Sequence, residues 1–228
     1  MTSVYGKIQN LITAANTVTG ESDTTLTDAV QTLIDGYGQG GGGYTIDEIA
    51  STEPSGAITL TTPTVRGYAF YANTLLTSVT TRGTTTIGDN AFNSCSNLTT
   101  ADLTGVTTFA GSANFKQCSK LTTISIPDLV TITNQAFNQC NLTGTLKLKN
   151  LTSGQGNSAF GSNMNLTKVY FFKKISMQWQ QNLFSGCTGI TDIYVPWSDG
   201  EVSGAPWGAS NATVHYDTVY DSNDEPIV

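Results

Sequence analysis

The chain has 228 residues, of which only 12% are charged, and its formal net charge is −7. An acidic balance argues against nucleic acid as the main partner. A hydrophobic fraction of 38% with so few charges also excludes a disordered chain, and the length suits one elongated domain with a small appendage.

Residues 1–36 are predicted to form a helical hairpin. The second helix is signalled by Thr25 as N-cap with Asp28 three residues on, and Gly36 ends it. A hairpin of this size is too small to bury a stable core alone. We therefore expect it to anchor the protein, through self-association into a homo-oligomer or docking into a larger assembly; the alternative is a helical cap on the first repeat. The predicted anchoring residues are Ile8, Leu11, Ile12, Leu26, Val30, Leu33 and Ile34.

A glycine-rich linker, residues 37–43, leads to a repeat region predicted at 44–216. A phenylalanine recurs every 22 to 24 residues, and a short stretch of alternating apolar residues follows each copy. Such a unit cannot bury its own apolar face, but stacked units can. The repeat predicts a β-rich solenoid of parallel strands with about seven turns. The recurring residues, which we expect to stack in one column, are Phe70, Phe92, Phe115, Phe137, Phe160 and Phe184.

Three positions after each phenylalanine comes a cysteine or an asparagine. That position favours a small buried group that satisfies backbone polar atoms in the turn. We expect buried free thiols, although a disulfide between neighbouring turns, such as Cys95 with Cys118, is the alternative. This predicted structural ladder consists of Asn73, Cys95, Cys118, Cys140, Asn163 and Cys187.

The outward strand positions are expected to form the exposed face of the array. In its C-terminal half this face is predicted to be aromatic and basic, suited to stacking on sugar rings or gripping an acidic polymer. The alternative is ordinary surface residues or contacts with a neighbouring subunit. The predicted ligand-binding residues are Lys147, Lys149, Lys168, Tyr170, Phe172 and Tyr194.

Nothing in the sequence predicts an enzyme. The single histidine, His215, has no second histidine or nearby ladder cysteine to complete a catalytic arrangement. The spacing of metal ligands is missing as well, so no metal and no cofactor are expected. Charge is uneven: residues 129–191 carry five lysines and no acid, whereas 192–228, which include an acidic tail at 217–228, carry seven acids and no lysine or arginine.

The repeated phrase "A-F-x-x-C-x-x-L" resembles the BspA type of leucine-rich repeat over about residues 57–216. This resemblance implies a leucine-rich repeat solenoid, in a family expected on secreted surface proteins. Two further segments, at 16–38 and 193–216, are similar to parts of phage and prophage structural proteins of Gram-positive bacteria. They imply a virion-associated fibre or receptor-binding protein.

These resemblances predict a non-enzymatic virion protein, anchored by its N-terminal helices to other virion proteins or to itself. Its repeat array would contact a host surface glycan or protein. The start of the sequence lacks the apolar region of a secretory signal, and no stretch approaches the ~20 apolar residues of a membrane helix. We therefore expect no membrane insertion and assembly in the bacterial cytoplasm. The alternative is a BspA-like adhesin on the bacterial cell surface.

Overall fold

The computed structural model describes residues 54–178 and 182–227. The predicted helical hairpin, its anchoring residues and the linker 37–43 lie outside them. Two four-stranded parallel sheets follow one side of the array, in the order β1-β3-β5-β7 and β9-β11-β13-β14. The first contains β1 (Gly56–Leu60), β3 (Leu76–Thr81), β5 (Thr100–Asp102) and β7 (Thr123–Ser125). The second contains β9 (Thr143–Leu148), β11 (Asn165–Phe171), β13 (Asp192–Tyr194) and β14 (Thr213–His215).

A six-stranded parallel sheet forms the other side of the array. Its strands are β2 (Thr64–Val65), β4 (Thr86–Ile87), β6 (Thr108–Phe109), β8 (Thr131–Ile132), β10 (Ser153–Gln155) and β12 (Ser176–Gln178). β-Branched threonines suit such strands, and they pair with one another from turn to turn, as Thr64 does with Thr86 and Thr86 with Thr108. The prediction of a parallel solenoid with about seven turns is confirmed.

The phenylalanines of the repeat form one buried column. Neighbouring rings from Phe70 to Phe184 have centroids 4.7 to 5.7 Å apart and lie within 20° of parallel. Offset stacking of this kind adds to the apolar area that each ring buries. The predicted column is confirmed, and at the C-terminal end Trp207 and Trp197 close it against Phe171.

The ladder position sits in the turn that follows each phenylalanine. The thiol of Cys95 donates to the carbonyl of Phe70, the repeat phenylalanine of the previous turn, at 3.0 Å. The thiols of the other three cysteines donate in the same way to the repeat phenylalanine of the turn before their own, at 3.0 to 3.1 Å. All four thiols are free. Asn163 makes the equivalent bond with its amide, since its Nδ2 donates to the Phe137 carbonyl at 2.9 Å. The side chain at this position therefore joins each turn to the one before it.

One turn departs from the repeat. Leu142 follows Phe137 by five residues instead of six, and Gly144, inside β9 with φ of +71°, precedes Thr145, from which β9 pairs regularly with β11. Glycine adopts this left-handed conformation without strain. The backbone of Thr143 still donates to Thr122, but β7 and β9 are both terminal strands of their sheets. The shifted leucine therefore coincides with the point where one side of the solenoid divides into two sheets.

Candidate functional site

The outward side of the two four-stranded sheets, hereafter the strand face, has two chemically different halves. Strand pairing aligns Thr59, Thr80, Asp102 and Ser125 in its N-terminal half. The same column continues as Lys147, Tyr170, Tyr194 and His215 in the C-terminal half. The first half is therefore hydroxylic and acidic, whereas the second is aromatic and basic, as the sequence predicted.

Residues 217–227, hereafter the C-terminal hairpin, lie over the second half. They contain an antiparallel pair, β15 (Val219–Tyr220) and β16 (Pro226–Ile227). The Tyr220 hydroxyl donates to the carbonyls of Phe171 and Tyr194 at 2.9 and 3.1 Å, and its ring stacks on Phe172 with centroids 4.2 Å apart. Burial raises the pKa of the Tyr220 hydroxyl. The hairpin is therefore held by the strand face through an aromatic anchor.

Two carboxylates of the hairpin pair with the basic residues. Glu225 Oε1 lies 2.7 Å from Lys147 Nζ, while Asp224 forms an ion pair with Lys149. The Tyr170 hydroxyl donates to Glu225 Oε2 at 3.2 Å. The hydrogen bond from Lys147 holds the pKa of Glu225 below its usual range. Burial raises the pKa of Tyr170 to about 12, and the hydrogen bond to Glu225 is the second cause of this rise. Two lysines and a tyrosine thus converge on two adjacent carboxylates.

The prediction that Tyr170 and Tyr194 are exposed is wrong. Their exposed fractions are 3% and 8%, because the hairpin lies over Tyr170, Tyr194 packs edge-on against Tyr170, and His215 stacks on Tyr194. Neither ring presents a free face to a sugar in this arrangement. The remaining predicted binding residues, Lys147, Lys149, Lys168 and Phe172, are half-buried.

The single histidine lies at the end of the strand face. His215 Nε2 is 2.8 Å from Asp192 Oδ1, and the two residues lie diagonally on neighbouring strands, where His215 is aligned with Tyr194. The hydrogen bond from His215, followed by that from Thr191, lowers the pKa of Asp192. The pair joins β13 to β14, the last strand of this sheet.

A cleft of about 430 Å³ opens where the strand face divides. Its walls come from β7 and β9, and they include Thr123, Ser125 and Lys147. Lys149 and Asp224 also line it, so the cleft is continuous with the ion pairs of the hairpin. Within residues 54–178 and 182–227, both strands that flank it have an edge with no strand partner.

Two of the buried ladder thiols, those of Cys118 and Cys187, are chemically quiet. Burial raises the pKa of the Cys118 thiol well above its usual value and that of Cys187 to about 11, so little reactive thiolate forms at neutral pH. Within residues 54–178 and 182–227, no group of acids, histidines and cysteines is arranged to hold a metal ion. In the same ranges no helix has the length and apolar character that crossing a membrane requires.

Sequence reasoning missed Tyr220, Asp224 and Glu225 as parts of this site. They lie beyond the repeat, so no periodic pattern assigns them a position. The signal that could have found them is the charge asymmetry, because five lysines without an acid precede a lysine-free segment with seven acids. Opposite charges in a small protein tend to meet when the topology permits it.

The repeat region matches a known family. The sequence pattern described as the BspA type leucine rich repeat region fits residues 61–198 in six copies, which is more than half of the chain. The chain belongs to the BspA-type leucine-rich repeat family. No curated protein matches the sequence.

Three solved structures are similar to this BspA-type protein. A leucine-rich repeat protein of T. pallidum is 22% identical, with a TM-score of 0.49 over 77% of this chain and 78% of that one. One from Bacteroides ovatus is 14% identical, with a TM-score of 0.32 over 70% and 60%. A leucine-rich cell surface protein of Faecalibacterium prausnitzii is also 14% identical, with a TM-score of 0.29 over 70% and 78%. The virion setting suggested by residues 16–38 and 193–216 has no counterpart among these matches.

Proposed function

We propose that this protein is a non-enzymatic adhesin of the bacterial cell surface, whose repeat array binds a partner on another surface. The observation that carries the proposal is the BspA-type repeat itself, which extends over six copies and builds a strand face from two four-stranded parallel sheets. Stacked repeats enlarge a binding surface one rung at a time, and solenoids commonly recognise partners in this way.

The strand face supplies the contact surface in this proposal. Its N-terminal half offers the exposed hydroxyls of Thr100, Thr123 and Ser125 and the carboxylate of Asp102. Its C-terminal half offers the amines of Lys147 and Lys149, whose side chains stay 32% and 41% exposed beside the hairpin. The two halves would bind different parts of one host surface protein or glycan.

Surface location and adhesion can be tested together. Antibody raised against the repeat region should label intact cells of the source bacterium, and beads coated with the protein should attach to host cells. The variant Thr100→Lys adds one bulky charge to the exposed N-terminal half, away from the cleft, and should reduce attachment without changing the melting temperature. Failure of both labelling and attachment would refute the adhesin.

A virion-associated fibre or receptor-binding protein is the second candidate. The similarity of residues 16–38 and 193–216 to phage structural proteins favours it, and the predicted helical hairpin would serve as the anchor to the particle. Mass spectrometry of purified phage particles from the source strain discriminates the two. Detection in particles together with unlabelled cells would replace the adhesin with this candidate.

A further inference from the structure

The pairing of hairpin and strand face defines a site for adjacent carboxylates. Lys147 and Lys149 project from alternate positions of one strand and its extension, so both amines lie on the same side. Asp224 and Glu225 are neighbours in sequence, and each pairs with one of these lysines. Tyr170 adds a hydroxyl donor to the second carboxylate. The three side chains therefore bind two consecutive acidic residues of the chain's own hairpin.

The hairpin holds only part of this site. Asp224 lines the cleft between β7 and β9, yet β15 pairs with β16 and with neither cleft strand. Hydrogen bonds from the N–H groups of Asn141 and Thr143 and from the Asn150 side chain join the segments that flank the two strands. Among the described residues, however, β7 and β9 do not pair with each other as strands. A cleft of about 430 Å³ with unpaired strand edges remains next to the bound carboxylates.

We propose that Lys147, Lys149 and Tyr170, together with the cleft between β7 and β9, bind an extended acidic peptide segment of a partner protein. In the structure, Asp224 and Glu225 of the C-terminal hairpin occupy the positions that the carboxylates of this peptide would take. The proposal deepens the adhesive function described above and rests on it.

A peptide fits these features better than a polysaccharide does. Strand edges offer backbone donors and acceptors at the spacing of another extended chain, and addition of a strand is a recurring mode of peptide recognition. The ion pairs of the hairpin are partly exposed, with side-chain exposures of 32% to 53%. Pairs of this kind are weak and screened by salt, so a partner that also fills the cleft can displace them.

Binding is tested on the full chain by fluorescence anisotropy with a labelled synthetic peptide, TVYDSNDEPIV, which copies residues 218–228. In the native chain the hairpin competes with this probe. We expect the variant Asp224→Asn with Glu225→Gln to bind it at least tenfold more tightly than the native chain. Adding Lys147→Gln with Lys149→Gln to that variant should remove the gain.

Two controls isolate the site. Lys173→Gln with Lys174→Gln removes the same number of charges from exposed positions that the hairpin does not contact, and should leave binding unchanged. The uncharged peptide TVYNSNNQPIV should bind at least tenfold more weakly than the acidic one.

Because Tyr220 could hold the neutralised hairpin in place, a second release variant, Asp224→Lys with Glu225→Lys, repels the hairpin from Lys147 and Lys149.

The results that overturn the proposal are specific. The proposal is refuted if both release variants keep the native circular dichroism spectrum but fail to bind the acidic peptide. It is also refuted if the uncharged peptide binds as tightly as the acidic one. Displacement of the peptide by polygalacturonate at a lower carboxylate concentration would assign the lysines to a glycan and refute the peptide. Host-cell attachment that persists after Lys147→Gln with Lys149→Gln removes this site alone, whereas failure of the native chain to attach removes the adhesive function.

Discussion

Asn163 provides a quantitative test of the ladder. Its amide nitrogen donates to the carbonyls of Phe137 and Phe160, while its Oδ1 accepts from the backbone of Leu142 at 3.0 Å. In Asn163→Ala, Phe160 keeps the thiol of Cys187, but the carbonyl of Phe137 and the N–H of Leu142 lose the partners that Asn163 supplied. A buried unpaired group costs about 1–3 kcal/mol, so two such groups cost about 4 kcal/mol.

Cys118→Ala is the matched comparison at the same ladder position. The carbonyl of Phe92 loses the thiol of Cys118 but keeps the backbone N–H of Cys95 at 3.2 Å. Only a weak bond and a small volume disappear, which costs about 1 kcal/mol. Asn163→Cys, which restores one donor, should fall between the two alanine variants.

Thermal unfolding followed by circular dichroism measures these differences. At about 2–4 °C per kcal/mol for a chain of this size, Asn163→Ala should lower the melting temperature by about 10 °C and Cys118→Ala by about 3 °C. An equal decrease in melting temperature for the two variants, or a larger decrease for Cys118→Ala, would contradict the conclusion that asparagine makes the stronger set of hydrogen bonds at this position.

Three further outcomes are expected. Gly154→Ala should destabilise the chain by at least about 2 kcal/mol in urea unfolding, since a Cβ there would lie 1.8 Å from the backbone oxygen of Ile132; unchanged stability would contradict the close packing. The hydrogen bond from Lys147 lowers the pKa of Glu225, so the stabilisation of the docked hairpin is present above the ordinary glutamate pKa. This stabilisation should be lost as the pH falls through the lowered pKa. If the protection of the hairpin amides against hydrogen exchange did not decrease over this pH range, the result would argue against the contact. Cys118 should resist a thiol reagent in the native state and react after unfolding, whereas rapid native labelling would contradict its burial.

The repeat made most of the fold predictable because each turn places the same residue types in the same surroundings. Phe92 and Phe115 could be assigned to one column from spacing alone, since neighbouring turns leave each ring little except another ring to contact. The alternation in each unit likewise located strands such as β5. An isolated copy would have carried no such information, because the core exists only between copies.

The covering of the strand face could not be predicted in the same way. Tyr170 has the outward position that its alternation indicated, but its burial depends on Tyr220 and Glu225, which belong to no repeat. The uneven charge pointed to a contact between the lysine-rich and acid-rich segments without selecting Lys147 over its neighbours. The cleft had one local signal, the early Leu142, whose effect on strand pairing depends on how Gly144 absorbs the shift.

The divided strand face also gives the array a joint. Between β7 and β9 the strand face has no strand pairing among the described residues, so the six-stranded sheet, the stack of Phe115 on Phe137 and the ladder bond from Cys140 to Phe115 connect the two blocks there. Because this seam lacks the strand pairing that joins the other turns of the face, we expect tension along the array to widen the cleft first. An adhesin under fluid shear would thereby couple tensile load to the accessibility of the groove beside Lys147 and Lys149.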